Sequence, residues 1–523
     1  MISFAVYDDD GPASEWPLRH AHLLGPEGVV VAGEIAFENG VIHCEKRNRA
    51  SAALGLQYTA DGPGVYILET CLLPDREEPY LLSLELARRR IMLFLVKLEE
   101  WGLFDLPPTD PVMTAFEQAR QGFTKALVVA RDTNGRHTIE QDRLARKALW
   151  MSIDASEQLS LRRADRNASR RTGAECGQTA PLILGCTIHT DRFTEPLRNV
   201  VKESFDFITL PMRWSELEPE EGDYNFARTD KWIEWAVRQA RIPVVGGPLV
   251  EFRPRCVPDW LYIWENDYDT LRELIYEHVR RVVTRYRRVV SKWTVASGLH
   301  LGSNFSLSLE QIIDLTRLCV LMVRKLHPSA RIQVEISQPF GEHSGADTGS
   351  IPPLLYTELM FQAGIEFDSL GLRLQMGDPE PGRATRDIMQ IADLLDRFAC
   401  FEKPLTISSF GAPTEPPDEE SLGLDRAFDP GYWRGEWSEA TQAEWLTNVV
   451  RIAYSNPAVT SVCWHELCDK ASHADIPSGG LVTDAGRGKL ALKRMGELHR
   501  RLRERRTLSD LDPIENGAAR QTA

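Results

Sequence analysis

A (β/α)8 barrel preceded by an α+β domain is the fold this sequence predicts, and three observations predict it. Beyond Pro181, apolar runs of strand length alternate with amphipathic helical stretches eight times in about 320 residues, which suits a closed α/β barrel better than an open sheet. Before that point the rhythm is different, with short strand-like runs giving way to helical spacing. Between the two regimes, residues 162–181 lose apolar content and read as a connector.

The elements follow in chain order. Within residues 1–75, Gly28–Val31 and Gly64–Leu68 sit between Gly, Pro and Asp punctuation and predict strands. The stretch Tyr80–Trp101 spaces Leu81, Leu84, Ala87, Ile91, Phe94, Leu95 and Leu98 on one helical face, and Pro107 and Pro108 stop it. Two more helices are predicted at 111–129 and 138–161. The barrel strands are predicted at 182–188, 205–210, 243–250, 291–297, 331–336, 367–374, 403–409 and 459–464, with helices such as Tyr268–Val290 and Leu309–Leu326 between them. The expected organisation is therefore an N-terminal α+β domain over 1–161, a linker over 162–181, the barrel over 182–505 and a flexible tail over 506–523.

Composition narrows the function classes. The 523 residues hold 61 Lys and Arg against 76 Asp and Glu, a formal charge of −15. Nucleic acid and anionic membrane are poor partners for such a surface, since both require basic residues facing phosphate. No run of about 18 apolar residues occurs, and the first residues lack the basic and apolar regions of a secretory signal. Nine cysteines without a CxxC pair argue against a disulfide framework or a thiolate zinc site, so reduced thiols and a cytoplasmic location are expected. The basic run Arg280–Arg288 reads as a solvated face of an outer helix.

Specific signals begin after the second barrel strand. The segment Met212–Phe226 contains Met212-Arg213-Trp214, Leu217-Glu218-Pro219, Gly222 and Tyr224-Asn225-Phe226. Downstream lie Val257-Pro258-Asp259-Trp260-Leu261, His278-Val279, Arg285-Tyr286, Trp293-Thr294-Val295-Ala296-Ser297-Gly298, Pro328-Ser329-Ala330, Gly371-Leu372, Gln442-Ala443-Glu444 and Trp464. In this order the series resembles the family-10 glycoside hydrolases, the endo-β-1,4-xylanases, over residues 182–500. The resemblance implies a (β/α)8 barrel with its site at the C-terminal strand ends, a β-glycan or oligosaccharide ligand, and no metal or other cofactor.

The resemblance also shows what has changed. A retaining glycosidase needs two carboxyl groups about 5 Å apart, one to protonate the leaving oxygen and one to attack the anomeric carbon. The family places glutamates at the ends of strands four and seven; the matching positions here are Gly298 and Ser409. No Asp or Glu lies between His278 and Leu309, nor between Glu402 and Glu415, apart from those bounding residues. Glycine cannot hold a proton, and a serine without a base is a poor nucleophile.

Of the positions that bind substrate in the family, the matching residues are Arg213, Trp214, Arg373, Gln375 and Trp464, with Gly247 where the family has a polar side chain. Both tryptophans are candidates to stack on a sugar ring, although a large aromatic at a strand end is as often core. Glu251, Glu335 and Glu466 fall at or beyond the ends of strands three, five and eight, and are the candidates for relocated acids. His189, His300 and His465 fall after strands one, four and eight.

Three readings follow. The first is a glycoside-hydrolase-like pseudoenzyme of carbohydrate metabolism that keeps a carbohydrate-binding or interaction role. The second is an active O-glycosyl hydrolase on β-1,4-glycans with relocated carboxylates. The third is a different, metal-dependent barrel enzyme built from the His and Glu residues at the mouth.

Overall fold

The computed structural model of the chain describes residues 1–511 except 48, 61, 63, 130, 132–134, 173–180, 343–348, 381, 417–428 and 470–474. The chain divides into two compact units.

The larger unit, Ala168–Met376 with Leu394–Glu415 and Ser438–Ala523, carries the barrel. Its strands are β1 (Ile183–Thr187), β2 (Phe207–Leu210), β3 in two pieces (Val244–Gly246 and Val250–Glu251), β4 (Val290–Ser297), β5 (Arg331–Ile336), β6 (Ser369–Gln375), β7 (Leu405–Gly411) and β8 (Val459–Trp464). Every neighbouring pair is parallel. The order closes on itself, because β8 pairs with β1 and both pieces of β3 pair with β4. All eight predicted strands are present, and the (β/α)8 expectation stands.

The break in β3 has a local cause. Gly247 has φ +119°, and a Cβ there would fall 2.3 Å from the Thr294 carbonyl oxygen on β4. Only glycine lets the two backbones approach this closely. The strand then resumes, with Leu249 N–H donating to that same Thr294 carbonyl at 2.9 Å.

The helices between strands follow from sequence signals at their starts. Ser308 and Gln311 form a reciprocal capping box that opens Leu309–Leu326, and the Asp267 carboxylate accepts from Thr270 N–H at the start of Tyr268–Tyr286. The latter helix buries Leu271, Ile275, Val279, Val282, Val283 and Tyr286. Its basic run faces outward: Arg280 and Arg281 pair with Glu277, and Arg285 with Asp230.

The smaller unit comprises Met1–Asn167 together with Gly377–Asp393 and Pro416–Trp437. It holds two four-stranded sheets. One orders Gly33–Glu38, Val41–Lys46, Ile2–Ala5 and Tyr80–Leu81; the other orders Val30–Val31, His22–Leu24, Ala53–Ala60 and Gly64–Glu69. Helices Leu82–Glu100, Pro111–Val128 and Ile139–Thr172 follow. Phe94 stacks on Phe116 at 4.0 Å, in a cluster that includes Leu159 and Met389.

Two expected boundaries are corrected. The segment predicted as a linker from residue 162 is helical through Thr172, because its Arg and Ala residues favour helix once a long helix leads into them; residues 173–180 of that segment lie outside the described residues. The barrel segment 182–505 is also not one block. Residues 377–393, after β6, and 416–437, after β7, belong to the smaller unit, held there by buried polar contacts. Within that unit Glu157 accepts from Trp433 Nε1 at 2.7 Å, from Ile388 N–H at 3.0 Å and from Arg434 Nε at 2.7 Å, while Arg90 pairs with Asp387. The expected tail, 506–523, is described only through residue 511. No helix among the described residues is long and apolar enough to cross a membrane.

Candidate functional site

The barrel interior holds a cavity of about 890 Å³ whose wall runs from Ser291 and Arg331, at the N-terminal ends of β4 and β5, to Glu251, Arg373 and Ser409 at the C-terminal mouth. Barrel interiors are ordinarily filled by branched aliphatic side chains. Here the middle of the wall is polar. Gln333 Nε2 donates to Thr294 Oγ1 at 3.1 Å, Thr406 Oγ1 donates to Gln333 Oε1 at 2.6 Å, and Thr187 and Thr209 stand 3.5 and 3.4 Å from Cys463 Sγ. Such side chains satisfy one another in pairs and leave space that aliphatic ones would close.

At the mouth, alternating charges form a chain. Arg373, on β6, donates from Nη1 to Glu251 at 2.9 Å, from Nη2 to Glu335 at 2.6 Å and from Nη2 to Ser297 Oγ at 3.1 Å. Ser297 Oγ in turn donates to Glu335 at 2.6 Å. Glu251 also accepts from Arg253 Nε at 2.5 Å, and Arg253 Nη1 reaches Asp475 at 2.9 Å. Gln375 Nε2 donates to Ser409 Oγ at 2.9 Å and reaches Asp475 at 3.4 Å. The sequence Asp475, Arg253, Glu251, Arg373, Glu335 thus alternates in sign, so each buried charge has an opposite neighbour.

The electrostatic consequence falls on Glu251. Burial alone pushes its carboxyl up, but Arg253 and Arg373 outweigh burial and hold it down at about 2. It stays ionised at neutral pH and cannot serve as a general acid. Arg373 and Arg253 are partly buried, which disfavours their charge, yet the surrounding carboxylates keep both above the ordinary arginine value.

The sequence candidates fall into three groups. Glu251, Glu335, Arg373, Gln375 and Ser409 come together at the mouth, and Arg213 joins the cavity wall with its Nη1 on Glu216 at 2.9 Å. Glu466 is apart from Arg373, with its Oε2 3.4 Å from His189 Nε2 and 3.9 Å from His465 Nδ1. Glu466, His189, His465 and Gly247 also line the cavity, whereas Trp214, Trp464, Gly298 and His300 do not.

Trp214 and Trp464 are core, which corrects their assignment as sugar-stacking residues. Trp214 is buried, stacks on His278 at 4.3 Å and donates its indole N–H to Glu218 at 2.7 Å. Trp464 is fully buried against Phe410 and Trp445, and its N–H goes to the Gly479 carbonyl at 3.0 Å. With faces packed and donors satisfied, neither ring is presented to a ligand, and neither lines the cavity. His300 is likewise buried, stacked on Tyr356 away from the mouth. Among the described residues no group of three or more His, Cys, Asp or Glu is arranged to hold a metal ion.

Gly298 directly follows β4 with φ +60°, and its N–H donates to the Glu335 carbonyl at 3.1 Å. A Cβ there would stand 3.0 Å from Ser337 Oγ and 3.3 Å from Leu301 Cδ1. Ser409 is in β7, in register with Arg373.

Arg253, Asp475 and Lys292 line the cavity and escaped the sequence reading, and Ser297 entered it only as part of a landmark. Arg253 sits two residues after Glu251, a spacing that could have marked it. Asp475 meets Arg253 across 222 positions, a pairing no local pattern reveals.

Residues 176–299 match the family model described as Glycosyl hydrolase family 10, a range that spans β1 through β4. The resemblance read from the sequence is shown over that range; the later landmarks lie beyond it. Endo-1,4-beta-xylanase B of Thermotoga neapolitana is 31% identical over 105 residues, covering 20% of this chain and 30% of that protein. Endo-1,4-beta-xylanase B of Humicola insolens is 28% identical over 102 residues, covering 19% of this chain and 28% of that protein. The chain thus spans less than a third of the length of these curated relatives. Among solved structures, native xylanase 10B from Thermotoga maritima aligns with a TM-score of 0.46 at 17% identity, over 66% of this chain and 99% of that one. Xylanase 10B from Thermotoga petrophila RKU-1, in complex with xylobiose, aligns with a TM-score of 0.46 at 16% identity, over 64% and 97%.

Proposed function

We propose that this chain is a xylanase-like protein of carbohydrate metabolism that no longer hydrolyses glycans and keeps a carbohydrate-binding or interaction role at the barrel mouth. The single observation that carries this reading is the Arg373 clamp. Glu251 and Glu335, two of the carboxylates that line the cavity, each accept through Oε1 from the one Arg373 guanidinium. A retaining mechanism needs one carboxyl protonated and the other free to attack carbon. Arg253 and Arg373 hold Glu251 ionised, so it is not the protonated partner, and its Oε1 is already occupied by both guanidiniums.

Two further points support it. The positions that resemble the acid/base and nucleophile sites are Gly298 and Ser409, and Gly298 has a backbone conformation that a larger side chain rarely adopts. The glycan class comes from the sequence relatives, which are endo-1,4-beta-xylanases. Polar groups suited to sugar hydroxyls line the mouth, among them Arg213 and Ser409, the latter accepting from the buried Gln375.

The test pairs hydrolysis with binding. Purified full-length protein is expected to release no reducing sugar from xylan, and no nitrophenol from 4-nitrophenyl β-xyloside, above a buffer control. Calorimetric titration with xylo-oligosaccharides is expected to give saturable heat. Turnover at about one per second or faster, in the range of ordinary enzymes, would overturn the loss of activity. Absence of binding to any xylo-oligosaccharide would overturn the glycan role.

A further inference from the structure

Lys292 lines the cavity and takes no part in the charge network at the mouth. It lies on β4, with its side chain partly accessible from the cavity. It forms no hydrogen bond and no ion pair with any described residue. Its register partners on the flanking strands are Val245 on β3 and Arg331 on β5, so the nearest charged neighbour across the sheet is a second cation. An ammonium inside a barrel ordinarily has a carboxylate partner, because an unpaired buried charge is costly.

We propose that Lys292 is a nucleophilic amine that captures a short hydroxylated aldehyde, such as an open-chain aldose, inside the barrel. An amine becomes nucleophilic when burial or a neighbouring cation disfavours its protonated form. Both conditions hold here. Burial, with Arg331 adding to it, brings the Lys292 amine down to about 7, while Cys463, Glu335 and Asp368 oppose the shift. About half of the amine is then unprotonated at neutral pH, against well under one part in a thousand for an ordinary lysine.

The wall defines the ligand class. Thr294, Gln333 and Thr406 present hydroxyl and amide groups beside Lys292, and the buried Oγ atoms of Ser369 and Ser408 have no hydrogen-bond partner among the described residues. Buried hydroxyls normally find a partner in the protein or in what the cavity holds. A polyhydroxy carbonyl compound supplies such partners, and a volume of about 890 Å³ admits one.

The step balances without a co-reactant. The Nζ lone pair forms a bond to the carbonyl carbon, and the π electrons of the C=O bond move to oxygen. The two protons lost from Nζ leave with that oxygen as water, and the product is an imine.

The experiment uses the full chain in native buffer at pH 7, with D-glyceraldehyde and sodium cyanoborohydride, which reduces the imine to a stable amine. Peptide mass spectrometry gives the labelling rate at Lys292 relative to the exposed Lys231 and Lys493. The expected ratio is at least about ten, given the larger fraction of free amine. Propanal, an aldehyde without hydroxyls, is expected to give a smaller ratio. Lys292→Met should abolish the fast label, and Arg331→Gln should slow it, each with a native circular dichroism spectrum. A wild-type ratio near one overturns the proposal whether or not the variants fold, and an equal ratio with propanal overturns the assignment of a hydroxylated ligand. The glycan reading of the mouth is tested separately by calorimetry and survives either result.

Discussion

Arg373 and Glu335, on adjacent barrel strands, meet through two hydrogen bonds to one carboxylate oxygen, from Nη2 at 2.6 Å and from Nε at 3.1 Å. Both side chains are buried, and the same guanidinium reaches Glu251 on the opposite side. One guanidinium thus offsets two carboxylates at the barrel mouth.

Removing the centre of that network should be costly. Arg373→Met leaves two buried carboxylates facing each other, and is expected to lower stability by about 3–5 kcal/mol. Denaturant unfolding monitored by tryptophan fluorescence measures this. Adding Glu251→Gln and Glu335→Gln to the same chain should recover most of the loss, since no unpaired charge then remains.

Acid sensitivity should track Glu251. Its folded value, about 2, lies below the ordinary 4.5. A depressed carboxyl contributes stability that is fully present above the unfolded value and is lost as pH falls through the folded one. Unfolding free energy should therefore fall between about pH 4.5 and pH 2, and Glu251→Gln should flatten that part of the profile.

His278 gives a second, higher window. Burial lowers its imidazole from 6.5 to about 3, so the folded state holds it neutral. Stability from this group is present above pH 6.5 and declines as pH falls toward 3. Replacing His278 with Phe should remove this contribution, so the difference profile against wild type should bend below about pH 6.5.

Trp214 rests on His278 and is expected to behave as core. Trp214→Ala should destabilise by about 3–5 kcal/mol, and Trp464→Ala by a similar amount. Xylo-oligosaccharide affinity in whatever fraction remains folded should be unchanged. A stable variant with weakened glycan binding would contradict the burial of these rings.

Restoring carboxyls should not restore hydrolysis. Gly298→Glu forces a side chain into a left-handed backbone and against Ser337, and should cost at least about 1–2 kcal/mol. Gly298→Glu combined with Ser409→Glu is expected to leave 4-nitrophenyl β-xyloside intact, because Arg373 remains in register with position 409. Detectable turnover by the double variant would show that the clamp does not suppress the chemistry.

The alternation of strand and helix, the capping residues such as Ser308 and the ordered landmarks from Met212 to Gly298 were written in the sequence, because each depends on neighbours a few residues apart. So was the lack of any Asp or Glu from His278 to Leu309 and between Glu402 and Glu415. The fates of Trp214 and Trp464 were not legible, because burial of an aromatic depends on which distant rings meet it. Likewise Glu251, Glu335 and Arg373 are separate residues in sequence, 38 to 122 positions apart where they pair. Closing the barrel brings three strand ends to one guanidinium, and only that convergence holds the Glu251 carboxyl down. The same closure sets Lys292 beside Arg331 with no carboxylate partner among the described residues, since strand register decides which side chains share an interior.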